Sequence, residues 1–198
     1  MTITPKKALI IAAIGVALYF GYSMFRDKFA SKTNEELLSL YGEGGTNQKL
    51  ARLELELRVQ NDKIKSGDLT GHVNDTNVDI AEMAFSLLGR LKFKEGIATY
   101  VAQVGKRDGK RWKVNAAAAD ALKATKCIKS ASAIPPLIGL LKWDVPSKDG
   151  VIGQDASEKM HAAAGAALEE ITGENNANNA SKWDVWWQGA LREFKVKE

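Results

Sequence analysis

Two histidines, one cysteine and 28 lysines and arginines are the side chains from which any chemistry in this 198-residue chain would come. His72 lies in a polar stretch and His161 in an alanine-rich one. Neither has an H-x-x-x-H partner, a His-Glu pair or a C-x-x-C neighbour that would assemble a metal site. His161, between Met160 and Ala162, reads as a half-buried helix residue rather than a general base, since no partner in the sequence orients it. Cys127 stands alone and makes no internal disulfide. Gly89, Gly105 and Gly109 form no phosphate-cradling loop, and no G-x-S-x-G is present. With no catalytic constellation, cofactor motif or metal motif in view, the chain reads as a binder rather than an enzyme.

Charge is the second source of chemistry. The net +4 arises wholly within residues 1–32; residues 33–198 hold 23 basic and 23 acidic side chains. The body of the protein is therefore neutral, and nucleic acid is not an expected partner. Within that body, residues 90–129 carry +8, flanked by −5 over residues 33–89 and −4 over residues 143–198. The densest basic run is Lys110, Arg111 and Lys113 around Trp112, which fits an acidic protein surface or anionic headgroups. The competing account is that these charges cover solvated helix faces and are answered by acidic neighbours. Trp143, in the stretch KWDVPSKDGVIG, is the other candidate contact residue, against the alternative that it covers the end of its own helix.

Such residues need elements to hold them, and the chain supplies a register. Ala51–Leu55, Ala84–Leu88, Ala118–Leu122 and Ala164–Leu168 repeat one small-to-leucine skeleton, the leucines falling 33, 34 and 46 residues apart. Periods of this size mark stacked helical hairpins, each burying its apolar face on the next. Thr33 with Glu36 predicts a capping box ahead of Leu37, Leu38 and Tyr41, and the glycines at 42, 44 and 45 end that helix. The next helix runs from Thr46 to about Asp62. Its centre alternates like a strand, and the register overrules the alternation. Residues 66–77 read as a polar loop, with Thr76 and Asp79 capping the helix that follows. Pro135 and Pro136 suit a helix's first turn. Ser181 with Asp184 predicts the cap of a last helix, whose Trp183, Trp186, Trp187, Ala190, Leu191 and Phe194 form one stripe that seals the open end of the stack.

AIPPLIGLL, the small-residue run HAAAGAALEEITG and the following WDVWW together resemble bacterial HEAT-repeat proteins of the phycobilisome-lyase-like type. The likeness is good over residues 130–194, fair over 77–129 and weak over 33–65. The Asp-Arg habit of many second helices is missing, and the polar 66–77 stretch departs from the pattern. The resemblance implies an α-solenoid of HEAT-like hairpins. It also implies an alternative function, since the family includes bilin lyases: an accessory protein for chromophore or cofactor attachment.

Ahead of the repeats, Ala8–Phe25 is an 18-residue run without a charge, preceded by Lys6 and Lys7 and followed by Arg26, Asp27 and Lys28. A helix of that length reaches ~27 Å, close to the thickness of a bilayer's hydrocarbon core. Tyr19, Phe20, Tyr22 and Phe25 crowd its far end where a cleavage site would stand in a signal peptide, which favours a retained anchor over a cleaved leader. Ala13, Ala17 and Gly21 share one face, a small-xxx-small spacing suited to packing against another transmembrane helix.

The sequence thus predicts an all-α chain in three parts: a tail, anchor and juxtamembrane segment over 1–32, HEAT-like repeats over 33–173, and a linker with a Trp-rich capping helix over 174–198. Its expected role is a scaffold that binds another protein within a membrane complex, single-pass in a bacterial inner membrane with the repeats on the periplasmic side. A membrane-tethered binder of anionic lipid or polymer through residues 90–129 is a further alternative.

Overall fold

The computed structural model describes residues 28–126, 131–146 and 153–194, with side-chain surroundings to Leu191. Every element in these residues is helical: α1 (Asn34–Glu43), α2 (Gly45–Gln60), α3 (Ser66–Thr70), α4 (Val78–Arg90), α5 (Ile97–Val104), α6 (Trp112–Ala124), α7 (Ile134–Leu141), α8 (Gln154–Thr172) and α9 (Ala180–Phe194). The predicted anchor, with Ala13, Ala17 and Gly21, lies outside the described residues. Among the described residues no helix is long and apolar enough to cross a membrane.

The register is the spine of the architecture. Ala51, Ala84, Ala118 and Ala164 are each 0% exposed and their partner leucines at most 1%, so all four skeletons face the core. They lie on α2, α4, α6 and α8, and these helices pack in sequence order, α2 on α4, α4 on α6 and α6 on α8. Gly89 permits the closest approach: a Cβ there would sit 3.0 Å from Ala121 Cα on α6. The other layer holds α1 against α2, α3 against α4, α5 against α6 and α7 against α8. Small residues on the inner helices bring the backbones together, and larger ones (Leu37, Tyr100, Leu137, Ile138) fill the gap between layers.

The same joint closes each inner helix. The chain turns through a left-handed residue one or two positions past the last helical one: Asp62 (φ 55°), Lys92 (φ 52°), Lys126 (φ 47°) and Gly173 (φ 78°). At the first two, the following N–H reaches back to the last turn, Lys63 N to Arg58 O at 2.8 Å and Phe93 N to Leu88 O at 3.1 Å, which is a Schellman closure.

Three local expectations change. The 66–77 stretch is not wholly a loop: α3 and the turns around it bury Leu69 and Val73, so this segment is the outer helix of its hairpin, reduced to five residues. Asn77 rather than Thr76 caps α4, its Oδ1 accepting from Asp79 N at 3.0 Å. Asn179 rather than Ser181 caps α9, accepting from Lys182 N at 2.9 Å. Asparagine outranks threonine as a cap, which favours Asn77 over Thr76, but it only matches serine, so composition alone could not separate Asn179 from Ser181.

α9 packs on α7. Trp183 is 0% exposed, and its indole N–H donates to Ala177 O at 2.8 Å. The linker before it is not a mere spacer, because a Cβ on Gly165 of α8 would overlap Asn178 Oδ1 and come within 3.0 Å of Ala177 O. Glycine at 165 is what lets the linker lie on α8.

Candidate functional site

The inner helices expose one side to solvent, and there they line a groove of about 680 Å³. Helical spacing builds it. Gln48 and Arg52 come from α2, Asp79, Glu82, Ser86 and Arg90 from α4, Lys113, Ala116 and Asp120 from α6, and Lys159 from α8, with Tyr41 entering from α1. Successive residues on each wall are three or four apart, the spacing of one helix face.

The groove carries both signs of charge. Tyr41 Oη donates to Glu82 Oε2 at 3.1 Å. Arg52 Nε donates to Glu56 Oε1 at 2.9 Å, and the same oxygen lies 3.0 Å from Arg90 Nη2, so one carboxylate bridges α2 to α4. Lys113 Nζ lies 3.4 Å from Asp79 Oδ1, bridging α6 to α4. Burial pushes the Glu82 carboxyl above the usual carboxylate range, opposed by the hydrogen bond from Tyr41 and by Arg52 and Lys113. Burial likewise raises the Tyr41 phenol, with Glu82 adding to the effect. Burial also raises Asp120, although that residue is exposed, so Glu82 is the better-covered carboxyl of the two.

Of the residues singled out by sequence, Trp112 and Lys113 line the groove at the start of α6, Trp112 half-buried against the core. Lys110 and Arg111 occupy the 3₁₀ turn Gly109–Arg111 just before it. Arg111 Nη1 donates to Asp75 O at 2.8 Å, tying that turn to the connection ahead of α4, while the Lys110 side chain is exposed. Trp143 does not line the groove. It follows α7, half-buried against the core, with its carbonyl 3.0 Å from His161 Nε2, which gives His161 a partner the sequence did not reveal.

The basic stretch divides in two. Lys106, Arg107, Lys110, Arg111 and Lys113 stand at the start of α6. Arg90, Lys92, Lys123 and Lys126 gather with Asp120 and Glu170 around a shallow cleft of about 330 Å³ at the far ends of α4 and α6. The 13 residues of α6 separate these groups by ~20 Å. Several of the cations are answered from adjacent helices, Arg90 by Glu56, Lys113 by Asp79 and Lys126 by Glu170. Among the described residues no group of three His, Cys, Asp or Glu side chains is placed to hold a metal ion.

Sequence reasoning missed Tyr41, Arg52, Glu82 and Arg58. Nothing in their spacing distinguishes them from surface residues; only the packing of α1 and α2 on α4 brings the first three together.

These features define an all-α protein built from stacked helical hairpins, with a charged groove along its inner layer. No protein-family model matches the chain, and neither does any curated protein or solved structure.

Proposed function

We propose that the chain is a membrane-anchored α-solenoid of HEAT-like hairpins that holds another protein in the groove of its inner layer, as an accessory or assembly subunit of a membrane complex. The observation that carries this reading is the groove's extent: it crosses four successive inner helices and carries both signs of charge over a floor of alanines, with Arg52, Arg90, Lys113 and Lys159 each paired to a carboxylate of the same or a neighbouring helix. A peptide segment of mixed charge would exchange partners with these ion pairs along its length, and electrostatic matching of that kind sets register and specificity more than raw affinity. Trp112 at one edge supplies the large half-buried side chain typical of an interface anchor. The anchor of residues 8–25 would hold the groove beside partners in or on the bilayer.

The test is purification of the full chain from membranes in mild detergent, with Ala116→Arg as the comparison. Ala116 lines the groove and is only partly buried, so the new side chain fills the groove without entering the core. A stoichiometric partner held by the wild type and lost by the variant is expected. A chain recovered alone, or a partner retained equally by both, would count against the groove.

A further inference from the structure

Only two residues, Arg26 and Asp27, separate the apolar run 8–25 from Lys28. From Lys28 onward the chain is not a tether. Residues 28–30 are helical, and Phe29 is 3% exposed within the core. The carbonyls at the end of this helical piece need partners: Ser31 Oγ donates to Lys28 O, Lys32 N donates to Phe29 O, and one buried side chain gathers the others. Arg58, on α2, donates through Nη2 to Lys32 O at 2.7 Å and Ala30 O at 3.1 Å, with a longer contact to Phe29 O at 3.4 Å. Its Nη1 donates to Asn34 Oδ1 at 2.7 Å and its Nε to Glu54 Oε1 at 3.0 Å. The residue is 9% exposed. A rigid, planar guanidinium with every nitrogen engaged fixes the direction in which the chain enters the fold.

Distance then sets where the fold sits. Four residues from Phe25 to Phe29 span ~6 Å if helical and ~14 Å if fully extended. A headgroup layer is ~5–8 Å deep on each side of the hydrocarbon core. The α1–α2 end is therefore within reach of the headgroups. That end carries a shallow groove of about 480 Å³ lined by Ala30, Lys32, Thr33, Asn34, Glu54, Arg58 and Lys63. Lys32 is paired to the exposed Glu36 at 3.6 Å, Lys63 is an exposed residue of the same groove, and Lys28 and Lys65 are exposed as well. Juxtamembrane lysines of this kind attract anionic lipid.

We infer that the α1–α2 end of the stack rests on the bilayer surface, oriented by Arg58, with the Lys32–Lys63 groove receiving the phosphates of anionic phospholipids. The inference rests on the anchor proposed above. It places the inner-layer groove at a fixed tilt to the membrane instead of on a swivelling domain.

The full chain is reconstituted in nanodiscs of phosphatidylcholine with and without phosphatidylglycerol, in a Cys127→Ser background, with a spin label at Lys65→Cys or at Val185→Cys on α9. A paramagnetic chelate on the lipid headgroups is expected to relax the Lys65 label several-fold more strongly than the Val185 label. Equal relaxation at the two positions would overturn the orientation, whereas a chain that fails to associate with the discs at all would overturn the anchor itself. Arg58→Met should bring the two labels toward equality while helicity is retained; an undiminished difference would show that Arg58 does not set the tilt. The pair Lys32→Glu, Lys63→Glu should weaken the Lys65 effect only where phosphatidylglycerol is present. An unchanged effect in both lipids would overturn the headgroup assignment.

Discussion

At the α1–α2 end of the stack a guanidinium gathers three carbonyls, an amide and a carboxylate; at the α9 end an indole fills an apolar gap and spends its one donor on Ala177 O. Both side chains are large and buried, and both close an array that would otherwise end in exposed helix faces. Their energetics differ. Trp183 gains from removing apolar area from water, a non-directional term that rises with contact area. Arg58 gives up hydration and regains it as hydrogen bonds, a nearly balanced exchange that yields direction more than stability. One end holds the fold together, and the other specifies how the chain enters it.

The largest expected effect tests the apolar end. Trp183→Ala should cost ~3–5 kcal/mol, measured by chemical denaturation of the full chain, because truncation leaves a large cavity between α9 and α7. A loss under ~1 kcal/mol would mean that α9 is an appendage and the comparison fails. At the polar end, Arg58→Met should cost ~2–3 kcal/mol, with its signature local: amide exchange over residues 28–34 should rise more than that of α6. Uniform acceleration across the chain would make Arg58 an ordinary core residue. Next, Gly165→Val should cost ~1–3 kcal/mol by lifting the Ala177–Asn178 linker off α8, and should add little to Trp183→Ala in the double variant, since both act on the same end.

The smallest effect concerns the groove between the two ends. Glu82 has its carboxyl raised above 4.5 by burial, so the folded state binds its proton more tightly than the unfolded chain does. The stability this provides is fully present below pH 4.5 and is lost as pH climbs through the raised value. Glu82→Gln keeps an acceptor for Tyr41 and removes the ionisation. It should stabilise the protein by up to ~1 kcal/mol at pH 7 and by nothing near pH 4, read from paired melting curves. A gain equal at both pH values would show that the groove does not desolvate Glu82.

How much of this was legible depends on whether a feature is periodic. The four Ala-to-Leu skeletons, the Thr33–Glu36 capping box, the prolines opening α7 and the stripe from Trp183 to Leu191 all repeat or sit at fixed offsets from helix ends, and the structure places these where the sequence predicts. Glu36 Oε2 accepts from Thr33 N at 2.7 Å and Thr33 Oγ1 accepts from Glu36 N at 3.1 Å, closing the box in both directions. Leu53 and Leu57, whose alternation with Leu55 mimics a strand, are 55% and 40% exposed, so on α2 only Leu55 of the three serves the core. The α3 segment was hidden because five residues are too short to show a helical period, and its glycine and threonine look like turn formers. Arg58 was hidden for another reason. It and Arg52 are arginines on the same helix with a glutamate four residues away, yet one is buried against carbonyls 26 to 29 residues earlier and the other faces the groove. Contacts of that sequence separation leave no local trace.

The left-handed joint that ends each inner helix offers a place at which one hairpin could be duplicated. Lys92 and Lys126 occupy the same bend 34 residues apart, so a copy of residues 92–125 inserted after Thr125 would begin and end on matching backbone. The copy brings its own outer helix, α5, and its own small-residue inner helix, α6, which already packs against like helices on both flanks. Such a chain should gain one hairpin's worth of helix by circular dichroism and a longer groove, with both ends closed as before. Where the chain varies in length, in the short α3 and in the long stretch between α7 and α8, the variation falls between one joint and the next inner helix. The joint, rather than the loop, is the unit of measure in this protein.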